Sequence, residues 1–159
     1  MGPVDSTELT PLRRAPAWAA KTGEDGGHYA RYNSVKTRVL VIEDSASVRR
    51  LIEVCLRVLD VEVISAEDGV KGLAEARANR PDVIVLDIGL PGMDGWEVLR
   101  RLRADITTQA IKVLVLTAHA QPEVAAQANA VGADDFMTKP FRPSDLRERI
   151  QGLFIPAQT

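Results

Sequence analysis

A chain of 159 residues, 45% hydrophobic and 26% charged, has the size and composition of one globular domain. No apolar run approaches the ~18 residues of a bilayer-spanning helix, so membrane insertion is not expected. The formal charge of -2 supplies no field for phosphate backbones, which argues against direct nucleic acid binding. The single cysteine, Cys55, precludes an internal disulfide and a cysteine metal cage, and a reducing, cytoplasmic setting is the expectation.

Residues 1–36 carry Pro3, Pro11 and Pro16, four glycines and no sustained apolar period, the pattern of a flexible N-terminal extension. Arg13 and Arg14 lead into only six apolar residues, too few for an export signal. Trp18, Tyr29 and Tyr32 are the few anchors by which this extension could fold on a partner. The domain itself is read over residues 37–155. There, short apolar runs alternate five times with amphipathic stretches, which predicts a parallel sheet with crossover helices.

The predicted strands are 39–42, 61–64, 83–86, 111–116 and 135–137, with the second and fifth, the least apolar, at the edges. Between the first two, Val48, Leu51, Ile52, Cys55 and Val58 recur at helical spacing and predict one apolar stripe against the sheet, with Cys55 in the core. The second helix is expected from Asp68 to before Pro81, the third from Gly95 to Ala104, the fourth over 122–131 and the fifth over 143–153. Asp68 and Ser144 are expected N-caps, Pro122 and Pro143 suit first-turn positions, and Gly132 suits a left-handed helix end. The fold class predicted is α/β, a three-layer (βα)5 doubly wound parallel sheet of flavodoxin-like strand order 2-1-3-4-5.

In such folds ligands collect at the carboxyl ends of the strands. There the sequence places Glu43 and Asp44 after the first strand, Asp87 after the third, Thr117 after the fourth and Lys139 after the fifth. Three crowded carboxylates need a cation, and an all-oxygen set suits Mg2+, with Mn2+ as the alternative. A free carboxylate beside a divalent ion, with a lysine and a hydroxyl opposite, is the equipment of phosphoryl transfer. Asp87 is the expected nucleophile, because it ends the most apolar strand and is followed by a loop containing Gly89, Gly92 and Gly95 that lets backbone approach the site.

Four motifs carry a resemblance: Val41-Ile42-Glu43-Asp44, Val85-Leu86-Asp87 with the loop to Gly95, Thr117-Ala118, and Phe136-Met137-Thr138-Lys139-Pro140-Phe141. Together they resemble the receiver domain of two-component response regulators, and a chemotaxis-type regulator in particular, over roughly residues 37–154. The resemblance implies that Asp87 is the phosphoacceptor, that Glu43, Asp44, Asp87 and the backbone carbonyl of Gly89 bind metal, and that Lys139 binds the phosphoryl group. Thr117 and Phe136 would be the switch pair, Phe136 standing where the family often has tyrosine. It also implies a cis Lys139-Pro140 peptide, and places Gly89 and His119 where the family sets its dephosphorylation rate.

Gly89 offers no side chain to position water, and His119 either orients water or is a solvated loop residue, so a slow loss of the phosphoryl group is expected. The chain would then be a signalling acceptor, not an enzyme, limited to self-phosphorylation and slow self-dephosphorylation. Its implied partners are a sensor histidine kinase or phosphotransfer protein, docking near residues 45–50, and an unknown downstream protein at the face around Phe136. Phosphorylation-dependent pairing of two copies is left open. Only about six residues follow the last helix, which implies a stand-alone regulator or a segment of a longer protein. Two competing readings are a phosphorylation-independent interaction module and a haloacid dehalogenase-type phosphatase. The latter needs a second acid two residues after the nucleophile, where Gly89 stands, and a cap for which the chain lacks length.

Overall fold

The computed structural model describes residues 36–154. Residues 1–35 of the N-terminal extension, with Trp18, Tyr29 and Tyr32, and the expected domain end at residue 155, lie outside the described residues. Strands and helices alternate as β1 (Thr37–Ile42), α1 (Ala46–Leu56), β2 (Val61–Ala66), α2 (Gly69–Asn79), β3 (Val83–Asp87), α3 (Gly95–Ala104), β4 (Lys112–Thr117), α4 (Pro122–Val131), β5 (Asp135–Thr138) and α5 (Pro143–Phe154). All four strand pairings are parallel, and the order is β2-β1-β3-β4-β5. The two strands expected at the edges are at the edges.

The alternation of side chains along each strand divides the core into two layers. Leu40, Ile42, Ile84, Leu86, Val113 and Val115 pack with Leu73 and Ala76 of α2 and Val98, Leu99 and Leu102 of α3. On the other face Val39, Val41, Val83, Val85, Leu114 and Leu116 pack with Ile52, Cys55 and Leu56 of α1 and Leu146 and Ile150 of α5. Because β3 is buried on both faces along its whole length, its residues form a continuous apolar run up to Asp87, as a central parallel strand requires. Among the described residues no helix is long and apolar enough to cross a membrane.

Helix ends follow local chemistry. The Asp68 and Asp94 carboxylates accept from the backbone N–H groups of Lys71 and Glu97, and Gly132 closes α4 at φ 106°, a left-handed conformation that favours glycine. Two expectations are corrected. Ser144 is no cap: the helix opens at Pro143, so Ser144 lies within its first turn, and the N–H groups of Asp145 and Leu146 reach the Arg142 carbonyl. The apolar stripe on α1 is also displaced. Its buried residues are Ile52, Cys55 and Leu56, whereas Leu51 is 45% and Val58 70% exposed. Val58 lies past the helix end at Leu56, where helical spacing no longer applies, and Leu51 is rotated about 100° from Ile52.

Candidate functional site

Asp87, Thr117 and Glu43 are buried at the carboxyl ends of β3, β4 and β1, only 4%, 2% and 1% exposed. The first two are the last residues of their strands, and their positions are set by the ladders that pair Asp87 with Leu116 and Thr117 with Thr138. Oδ1 of Asp87 accepts from the Gly89 N–H at 3.1 Å and from Lys139 Nζ at 3.2 Å. Among the described residues Oδ2 accepts no hydrogen bond. Glu43 is held at several points: its N–H donates to the Ala66 carbonyl at 3.1 Å, Oε2 accepts from the Ser45 N–H at 3.2 Å, and Oε1 accepts from Lys139 Nζ at 3.4 Å. Asp44 is exposed, and carboxylate oxygens of Glu43, Asp44 and Asp87 lie within 4.8 Å of one another.

Lys139 reaches this cluster because its backbone N–H donates to the Thr117 carbonyl at 2.7 Å, extending the β4–β5 pairing by one residue past β5. The Lys139-Pro140 peptide is cis, as the resemblance implies. The Thr117 hydroxyl oxygen accepts from the His119 N–H at 3.0 Å, which leaves its own proton available to a further acceptor.

One ammonium therefore faces three carboxylates. Burial, reinforced by the Asp87 charge, pushes the Glu43 carboxyl above its ordinary pKa, although the Ser45 N–H and Lys139 oppose this. Burial works against the charge on Lys139, but the Asp87 and Glu43 carboxylates outweigh it and hold the lysine above its ordinary value. The residual negative charge and the all-oxygen donor set fit a hard divalent cation that keeps several waters, the preference of Mg2+ and Mn2+.

The residues expected from the sequence divide into two places. Glu43, Asp44, Asp87 and Lys139 converge in one pocket, with Gly89 and Thr117 bonded into its rim. Phe136 is half-buried and packs against the α2–α3 layer of the core. It lines a separate cleft of about 600 Å3 with Met137, Pro140, Phe141 and Arg149. Arg49 escapes a reading of the sequence by chemistry, and Gly95 enters it only as one of three loop glycines. Arg49 donates from Nη1 to the Glu43 carbonyl at 2.7 Å, and its only signal is a cation in the first turn of a helix. Gly95 lets α3 start against the end of β3: a Cβ there would stand 2.5 Å from the Asp87 carbonyl oxygen and from Ile88 Cα.

Residues 39–151 match the family model of the response regulator receiver domain. The chain is 40% identical over 116 residues to the DNA-binding dual master transcriptional regulator RpaA of Synechocystis, covering 73% of this chain and 48% of that protein. It is 37% identical over 115 residues to the phosphate regulon transcriptional regulatory protein PhoB of Pseudomonas aeruginosa, covering 72% and 50%. It thus spans about half the length of the curated relatives it matches. Among solved structures, the chemotaxis protein CheY4 of Vibrio cholerae aligns with a TM-score of 0.71 at 34% identity, covering 75% of this chain and 99% of that one. With the acid cluster at the ends of a sheet in the order 2-1-3-4-5 and the family model matched by residues 39–151, well over half of the chain, the chain belongs to the response regulator receiver domain family.

Proposed function

We propose that this receiver accepts a phosphoryl group on Asp87 from the phosphohistidine of a sensor histidine kinase or phosphotransfer protein. One observation carries the reading: Asp87 has one oxygen fixed by Gly89 and Lys139 and the other unpartnered, inside a cluster of three carboxylates. Glu43, Asp44, Asp87 and the Gly89 carbonyl would hold Mg2+, or Mn2+ in its place. When bound, the cation neutralises charge on the incoming phosphoryl oxygens.

The free oxygen of Asp87 attacks phosphorus and forms the new P–O bond. The P–N bond of the donor breaks, and its electron pair returns to the imidazole nitrogen, which is protonated as it leaves. Lys139 donates to the transferred group as a point charge, and the Thr117 hydroxyl, whose oxygen accepts the His119 N–H while its own proton stays available, donates a second hydrogen bond. The chain acts as an acceptor, with only slow hydrolysis of its own acyl phosphate.

Signal output follows from a population shift. A phosphoryl group favours the packing in which Thr117 moves inward, which opens space for Phe136 to rotate and reshapes the cleft beside Phe141 and Arg149. A downstream protein, or a second copy of the chain, that prefers this shape adds to the bias. The reading places the chain in the cytoplasm and its partners among proteins, not nucleic acids. Phosphorus NMR of the full chain with Mg2+ and a small acyl phosphate tests it: a protein-bound resonance that hydroxylamine removes is expected, and a spectrum of donor and inorganic phosphate alone would contradict it.

A further inference from the structure

Arg49 is the fourth residue of α1, where a cation works against the helix dipole. No carboxylate pairs with it among the described residues. Its side chain instead runs back past the start of the helix, and Nη1 donates to the Glu43 carbonyl at 2.7 Å. That carbonyl belongs to the peptide joining Glu43 to Asp44, so the bond fixes the plane from which both carboxylates spring. Two further bonds restrain the same turn, from the Glu43 N–H to Ala66 and from the Ser45 N–H to Oε2 of Glu43. Neither of them holds the Glu43–Asp44 carbonyl. Asp44 is exposed and has no hydrogen bond of its own among the described residues, so its direction depends on this peptide.

We propose that Arg49 is a positioning residue for the acidic pair, holding the Glu43–Asp44 peptide so that both carboxylates meet Asp87 at the spacing a divalent cation needs. This rests on the phosphoacceptor reading above. A group that orients metal ligands without touching the metal commonly governs affinity by 10- to 100-fold. The sign of the effect separates positioning from charge. Arg49 is a cation beside a cation site, so through Coulomb repulsion alone its removal would tighten magnesium binding. Through lost positioning, its removal weakens binding.

The test is a calorimetric titration of Mg2+ into the full chain, for wild type, Arg49→Gln, Arg49→Lys and the control Arg57→Gln, an exposed arginine just past the end of the same helix. Arg49→Gln is expected to weaken binding about 10-fold, Arg49→Lys to recover part of the loss, and Arg57→Gln to match wild type. Hydrogen exchange in chelator supplies a metal-free readout, with faster exchange expected at the Ser45 amide, whose bond to Glu43 Oε2 depends on the same turn, in Arg49→Gln while the core strands keep wild-type protection. Unchanged or tighter magnesium binding in a folded Arg49→Gln variant would overturn the proposal. A wild type that binds no magnesium would instead overturn the phosphoacceptor reading on which it rests.

Discussion

Glu43 is more buried than any other ionisable group of the pocket, and its environment has a consequence for pH. Burial first, and the Asp87 charge second, raise its pKa above the ordinary 4.5, so the folded state binds this proton more tightly than the unfolded chain does. The stability it contributes is complete below the unfolded value and is lost as pH rises through the raised folded value. In chelator, the urea midpoint should therefore fall from pH 4.5 upward through this group, and Glu43→Gln should flatten that part of the profile. A slope identical to wild type would show that the carboxyl is not strained by its burial. Gly89 carries a second prediction at this scale. A Cβ there meets only Asp87 Oδ1, at 3.8 Å, so Gly89→Asn places an amide beside the acceptor without a clash and can orient water on the acyl phosphate. The phosphorylated form of Gly89→Asn should decay faster than wild type in a timed mass measurement, and an unchanged lifetime would remove Gly89 from the account of slow hydrolysis.

At the scale of the elements, the strands were legible because parallel strands covered on both faces need unbroken Val, Ile and Leu, and their ends were legible because the apolar runs stop at Glu43, Asp87 and Thr117. Helix α1 was less legible. Apolar residues occupy more than its buried face, so periodicity alone could not tell the covered Leu56 from the exposed Leu51 and Val54. Arg49 was missed for a different reason: its partner is a main-chain carbonyl, which every residue has. Gly95 opens α3 at the end of a glycine-containing loop that could be read as merely permissive, yet its lack of a Cβ is what lets α3 begin against Asp87 and Ile88. Backbone cannot yield as a flexible side chain does, so Gly95→Ala should cost about 1–3 kcal/mol. A urea denaturation midpoint equal to wild type would contradict this.

For the molecule as a whole, the parallel order β2-β1-β3-β4-β5 gathers Glu43 and Lys139, 96 residues apart in sequence, to 3.4 Å. The sheet is in this sense the instrument of the site, since the ends of β1, β3, β4 and β5 deliver Glu43 with Asp44, Asp87, Thr117 and Lys139 to one edge. The same topology keeps Phe136 on β5, one strand from Thr117, so that an event in the pocket has a short route to the cleft that Phe136 lines. The central claim is that Asp87 is a working phosphoacceptor that requires a divalent cation. Incubation of the full chain with Mg2+ and a small acyl phosphate, followed by intact mass analysis of wild type and Asp87→Asn, tests it most directly. One phosphoryl adduct on wild type, absent from Asp87→Asn and absent in chelator, is the predicted result. An unmodified wild type, or an adduct that survives in Asp87→Asn, would contradict it and favour a receiver that binds its partner without phosphorylation.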